Sequence, residues 1–289
     1  PVGTITYSTT KRTAQPVTAT LHTNEEVIIT NPPDGSNEYV FTENGTFEFV
    51  FVDLAGNEGR AIAEVNNIDK SLPKADISYS TTYWTNEAVT VTISVVGENP
   101  GELFDFVVDG HHELVSSETN EEGLIIQAVY KLHENGSISF KIRDLETGVE
   151  GEDVAVVQNI DKTPPHVEEV YYSETSWTNK NVTVTITVKD DCSSVTFLNP
   201  EGNTYVFTEN GEYTFRFRDE AGNIEEKTIK IDYIDKEAPN PEIKYSSKDR
   251  VENEEFWTNE NVTVTISFPN ESEPVTILNN NGSNTYVFS

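Results

Sequence analysis

The chain is 289 residues long and carries 50 Asp and Glu against 19 Lys and Arg, a formal charge of −31. A negative surplus of that size repels phosphate backbones and polyanionic membrane surfaces, which argues against nucleic acid as a partner and makes divalent cations the natural one. Apolar residues make up 35% and aromatics 10%, above the profile of a disordered acidic tail, and no run approaches the ~18 apolar residues of a membrane helix.

In chain order, residues 1–72 read as a succession of short strands. Ile5 and Tyr7 precede Ser8, and Val17, Ala19 and Leu21 alternate with threonines, the period of a half-buried strand. Tyr39-Val-Phe-Thr-Glu-Asn-Gly45 follows, and its Asn44-Gly45 is expected to supply the positive φ angles of a tight hairpin. Phe47, Phe49 and Phe51 alternate again, Asp53-Leu-Ala-Gly-Asn57 reads as a turn, and the stretch closes on Asn67-Ile-Asp-Lys70 before Pro73.

The same phrases return in order three more times. A second repeat, 73–164, runs from Ile77 and Tyr79 through Val89–Ile93 and Glu134-Asn135-Gly136 to Ile160-Asp161-Lys162. A third, 165–239, contains Val182–Ile186, Glu209-Asn210-Gly211, Asp219-Glu-Ala-Gly-Asn223 and Ile234-Asp235-Lys236. The closing aspartates are 92 and 74 residues apart, because the second repeat carries an insertion near 98–128. That repeat also has Asp144-Leu-Glu-Thr-Gly148 in place of the regular turn. The fourth repeat, 240–289, stops at Tyr286-Val-Phe-Ser289 and by alignment lacks its last two strands. An open apolar face there would permit self-association with another chain, although an arbitrary boundary is the simpler account. The chain has no Met, even at position 1, so Pro1 is expected to begin a fragment of a longer protein. Six or seven short strands per repeat, with no helical periodicity, predict an all-β protein of tandem immunoglobulin-like β-sandwiches in an elongated array.

These phrases together resemble the bacterial immunoglobulin-like repeats (Big-type) of large, often Gram-positive, cell-surface and S-layer-associated proteins. The resemblance covers essentially the whole chain. It implies an extracellular, non-enzymatic stalk or adhesin segment at a bacterial cell surface, in some cases stiffened by calcium.

Candidate sites follow from residue chemistry. Ca²⁺ takes six to eight oxygens, and turns dense in Asp, Asn and Gly supply them. Asp53, Asn57, Asp219 and Asn223 in the turns, and Asp69, Asp161 and Asp235 at the repeat ends, are therefore candidate calcium ligands. The alternative is that the turns are ordinary Asx turns and the closing aspartates cap backbone amides. Asp53 and Asp69 fall at opposite ends of a strand pair, so a shared site is not assumed. Trp84, Trp177 and Trp257 each open a Trp-Thr-Asn phrase and either stack on sugar or cover the end of their own sandwich; Arg12 stands in their place in the first repeat. His111 and His112 in the insertion are candidate ligand-binding residues, although neighbours on a strand face opposite ways. No catalytic residues are assigned: Gly-x-Ser-x-Gly, His-Glu-x-x-His and phosphate-loop patterns do not occur. The leading expectation is a stalk or adhesin segment. The alternatives are a module binding a host or cell-surface glycan or protein through the insertion, and an accessory region of a secreted polysaccharide-degrading enzyme.

Overall fold

Strand forms wherever the alternation predicts it, in a computed structural model that describes residues 1–97, 102–246, 250–252, 255–257, 260–271 and 273–288. The chain divides into two compact units, Pro1–Lys162 and Thr163–Ser289. Among the described residues no helix is long and apolar enough to cross a membrane.

The first repeat has six strands: β1 (Gly3–Tyr7), β2 (Val17–Thr23), β3 (Val27–Asn31), β4 (Glu38–Phe41), β5 (Gly45–Asp53) and β6 (Glu58–Val65). All pairs are antiparallel, in two sheets ordered β1-β2-β4 and β3-β5-β6. Two facing sheets in these orders are the A-B-E and C-F-G arrangement of an immunoglobulin-like sandwich. Period two puts Val17, Ala19 and Leu21 inward from one sheet and Phe49 and Phe51 inward from the other, all at 3% exposure or less. Burying each of those phenylalanines contributes about 1.5–3 kcal/mol.

One expectation is corrected. Asn44-Gly45 does not turn a hairpin, because β4 and β5 belong to different sheets and the chain crosses the end of the sandwich between them. Gly45, Gly136 and Gly211 are not among the glycines with positive φ. The phrase recurs for its asparagine side chain. Asn44 Nδ2 donates to the Ile68 carbonyl and its Oδ1 accepts from the Ile68 amide, both at 2.8 Å. Asn135 does the same to Ile160, and Asn210 to Ile234. The opposite side of each closing segment is a short parallel bridge, Thr13 to Ile68, Thr85 to Ile160 and Thr178 to Ile234. The isoleucine side chains are 6–7% exposed and plug the sandwich end. Other recurrent phrases serve the same frame. Ser8, Ser80, Ser173 and Ser246 each accept through Oγ from the amide of the threonine at the second position of the following Val-Thr strand. The Tyr7 and Tyr79 hydroxyls accept from backbone amides of the last strand of their own repeats.

The second repeat comprises β7 (Lys74–Tyr79), β8 (Val89–Val96), β9 (Phe104–Val108), β10 (Glu113–Thr119), β11 (Ile125–Leu132), β12 (Gly136–Asp144) and β13 (Glu150–Val157). Its sheets are ordered β10-β11-β8-β7 and β13-β12-β9. The inserted residues are therefore not a separate loop. They contain β9, whose Phe106 lies in the core, and they add β10 as the D strand that completes a four-stranded A-B-E-D sheet. Gly151 is fixed by packing, since a Cβ there would collide with the Pro73 carbonyl oxygen.

The third repeat repeats the six-stranded plan: β14 (His166–Tyr172), β15 (Val182–Lys189), β16 (Val195–Phe197), β17 (Thr204–Phe207), β18 (Gly211–Asp219) and β19 (Ile224–Ile231). Among its described residues the fourth forms one three-stranded sheet from β20 (Glu242–Tyr245), β23 (Val262–Ser267) and β24 (Thr285–Phe288), with a small hairpin of β21 (Arg250–Glu252) and β22 (Glu255–Trp257). Phe288 is 58% exposed, whereas Phe207, the same residue of the phrase in the third repeat, is 4% exposed under its second sheet. Each of the first three repeats has its own hydrophobic core.

Asn210→Ala leaves the Ile234 amide and carbonyl without their side-chain partner and is expected to destabilise the third repeat by about 2 kcal/mol. Urea unfolding followed by hydrogen exchange at the closing segment measures it, with exposed Lys227→Ala as a control near zero.

Candidate functional site

The turn that joins β5 to β6 is built by Asp53. Its Oδ1 accepts from the Ala55 and Asn57 amides at 2.9 and 2.8 Å, and its Oδ2 accepts from Asn57 Nδ2 at 2.8 Å. Gly56 takes φ of 85°, which a side chain would strain. Asp219 and Asn223 reproduce the arrangement, with Gly222 and Asn223 amides on Oδ1 and Asn223 Nδ2 on Oδ2. Both predicted pairs are thus brought together, and each carboxylate oxygen already accepts from a donor of its own turn. In the irregular turn of the second repeat Asp144 Oδ1 accepts from the Glu146 and Thr147 amides, which leaves Oδ2 directed elsewhere.

The closing aspartates begin the linkers. Asp69 Oδ1 accepts from the Ser71 amide at 2.9 Å and from its hydroxyl, and Asp235 Oδ1 accepts from the Glu237 amide at 2.8 Å. Asp161 is buried, with its backbone amide on the Thr85 carbonyl. Hydrogen bonds from the Ser71 hydroxyl and amide hold the Asp69 carboxyl below the usual carboxylate range.

Asp53 and Asp69 are not assembled into one site. Asp69 instead meets residues of the next repeat around Arg12. Arg12 Nη1 donates to Asp69 Oδ2 at 3.0 Å and to Glu102 Oε1 at 2.8 Å, and Nε donates to Glu146 Oε2 at 3.2 Å. Nη2 lies 2.8 Å from Asp144 Oδ2, a contact of opposite charges that is not aligned as a hydrogen bond. The Glu102 and Asp144 side chains are each 6% exposed. Burial alone would push the guanidinium down, but the hydrogen bonds it donates to Asp69 and Glu146 and the charges of Asp144 and Glu102 hold it above its ordinary value. Arg12, Glu102, Asp144 and Glu146 were not among the sequence-predicted site residues. The available signal was a charged residue at a position that holds Trp in the other repeats.

The second unit has a related grouping. Asp235, Glu271 and Glu273 place one carboxylate oxygen each within 4.8 Å of one another. Glu271 also accepts from the Asn240 amide at 2.7 Å. Glu271 follows β23 as Glu102 follows β8, so at both places a closing aspartate meets an acid from the loop after the second strand of the next repeat. Trp177 occupies the alignment position of Arg12 in this unit.

The remaining candidates are dispersed. Trp84 is half-buried and Trp177 is 45% exposed. Trp257 ends β22, and its side chain lies outside the described residues. His111 and His112 lie between β9 and β10, not on a strand. His112 Nε2 is 3.0 Å from the Asp109 carbonyl and its ring stands edge-on to Tyr130, while His111 is exposed.

No family model and no curated protein matches the chain. Among solved structures it is similar to the C-terminal 282-residue fragment of intimin, in complex with the intimin-binding domain of the translocated intimin receptor. That match has 15% identity, covers 61% of this chain and 67% of that one, and has a TM-score of 0.32. It is also similar to invasin, a bacterial integrin-binding protein, at 11% identity, 99% and 78% coverage and a TM-score of 0.26. The Yersinia pseudotuberculosis adhesin InvE matches at 12% identity, 54% and 58% coverage and a TM-score of 0.22, so the chain spans less than two thirds of InvE. All three likenesses are distant, and the fold assignment stands on the strand pairing itself.

The Asp53 carboxyl is held below its ordinary value of 3.8, first by the Asn57 side chain and then by the Asn57 amide. A depressed native value favours the ionised form in the fold. Its stabilising effect is therefore present above the unfolded value and lost as pH falls through the lower native one. Asn57→Ala is expected to return the Asp53 titration, followed by carboxyl NMR, toward 3.8 while leaving that of Asp69 in place.

Proposed function

We propose that the chain is a non-enzymatic structural segment of a bacterial extracellular surface protein, a stalk that presents an adhesive surface to a glycan or protein. The carrying observation is that the recurrent residues of the first three repeats are spent on one end-clamp around a self-contained core, so that each repeat is a module and length follows repeat number. The charge of −31 keeps such segments apart from one another and from anionic surfaces. Calcium is proposed as a stiffener in the second unit, where the carboxylates of Asp235, Glu271 and Glu273 converge from successive repeats. The Asp53–Asn57 and Asp219–Asn223 turns rank below this grouping, because their oxygens already accept turn donors.

A second reading places recognition on the D strand of the second repeat. Leu114 and Val115 on β10 are 51% and 53% exposed, and loops and edges carried on a rigid sandwich are common recognition surfaces.

Force spectroscopy of the chain tests the modular reading. The first and third repeats are expected to unfold as separate steps, each with a contour length of about 240–270 Å, and the longer second repeat about 300–330 Å, at 3.3–3.6 Å per residue. One merged step would overturn it. Thermal unfolding in EGTA, CaCl₂ and MgCl₂ tests the metal. A calcium-specific rise of several degrees, abolished by Glu271→Gln, is expected, since ligand at about 100 times Kd adds about 2.7 kcal/mol. Superimposable curves remove calcium from the proposal.

A further inference from the structure

We propose that Arg12 is a built-in cation that locks the first repeat to the second, so that this joint is rigid without metal. Four carboxylates contact one guanidinium, and they come from both sides of the joint. Asp69 belongs to the closing segment of the first repeat, and Glu102, Asp144 and Glu146 belong to the second. Without a cation these groups repel one another across a few ångströms, most strongly Glu102 and Asp144, which are nearly withdrawn from water. A guanidinium answers this geometry better than an ammonium would. It is always charged, planar and weakly hydrated, and its fork addresses several acceptors in fixed directions.

The local structure leaves Arg12 well held. The next residue, Thr13, is tied to the closing segment, its amide donating to Asn67 O and its carbonyl accepting from the Asp69 amide, both at 2.9 Å. Asn67 Nδ2 donates to the Lys11 carbonyl at 2.7 Å on the other flank. The guanidinium thus projects from a braced segment of the first repeat into acids of the second. The irregular turn supports the same role. Asp144 satisfies the Glu146 and Thr147 amides with Oδ1 alone, so its Oδ2 reaches Arg12, and Glu146 in the same turn adds a further acceptor. In the regular turns both carboxylate oxygens are taken up internally. The change at Arg12 and the change of the second repeat's turn are therefore two halves of one device.

The test uses the full chain with Cys192→Ser and spin labels at the exposed, equivalent positions Thr46→Cys and Ser137→Cys. Pulsed dipolar spectroscopy then reads the distribution of distances across this joint alone. The expected result is a narrow distribution of equal width in EGTA and in CaCl₂, broadened at least twofold in EGTA by Arg12→Gln. Asp144→Asn approaches from the other side, keeping an oxygen for the turn amides while removing the charge facing Arg12, and is expected to broaden the distribution as well. Unchanged thermal unfolding of the full chain's second unit, with a cooperative transition retained in the first, shows that either variant still folds. A native distribution that is broad in EGTA and narrows with calcium would overturn the proposal, as would variants as narrow as the native chain. Both labels lie in the first unit, so this result is independent of any calcium effect at Asp235 and Glu271.

Discussion

The end-clamp on the closing isoleucine is the contact on which the other features of the first three repeats depend. A sandwich of two short sheets is open at its ends, and a chain leaving one end must carry its backbone polar groups past the core. Ile68, Ile160 and Ile234 solve both problems at once. The side chain plugs the end, while an asparagine amide on one side and a threonine backbone on the other satisfy the exposed N–H and C=O groups. The clamp also sets where the next residues go. The aspartate turns into the linker, and the lysine reaches back to a carbonyl near the crossing asparagine, as Lys70 does to Thr42 and Lys236 to Thr208. The Asn-Gly asparagine, the bridging threonine (Thr13, Thr85 or Thr178) and Ile-Asp-Lys, remote in the chain, therefore form a single structural unit.

That geometry creates an electrostatic difficulty at the joints. The closing aspartate is delivered to the start of the next repeat, where the loop after its second strand brings another acid, Glu102 in one case and Glu271 in the other. In a chain with 50 acidic residues such encounters are costly unless positive charge is supplied. The first joint supplies it from within the chain through Arg12, whereas the second unit has Trp177 at that position. The repeats share a fold, but their joints need not share a chemistry.

The second repeat shows how one addition alters a module without disturbing its core. Adding β10 to the edge lengthens a sheet from three to four strands while Val89, Val91 and Ile93 stay fully buried. Two register shifts in the β10–β11 pairing twist the new edge, a feature that discourages further strand addition. The fourth repeat shows the converse. The phenylalanine of the Tyr-Val-Phe phrase, buried in the third repeat, is exposed in the fourth, where among the described residues no second sheet covers it.

Strand positions and the inward residues were legible in the residues, because period-two alternation is a local property and its recurrence along the chain removes its ambiguity. The aspartate turns were legible for the same reason, since Asp53 and Asn57 bond within five residues. The role of Asn44 was not. A hairpin and a sheet-crossing present the same Asn-Gly letters, and only the pairing of β4 and β5 with different partners separates them. Nor could the inserted residues be recognised as a D strand, because edge membership depends on the register of β10 against β11. The Arg12 cluster lay furthest from view: its acids come from positions 69, 102, 144 and 146, and nothing but the packing of one repeat on the next brings them to a single guanidinium. Local periodicity is written along the chain, whereas charge meeting charge across a joint is decided by three-dimensional placement.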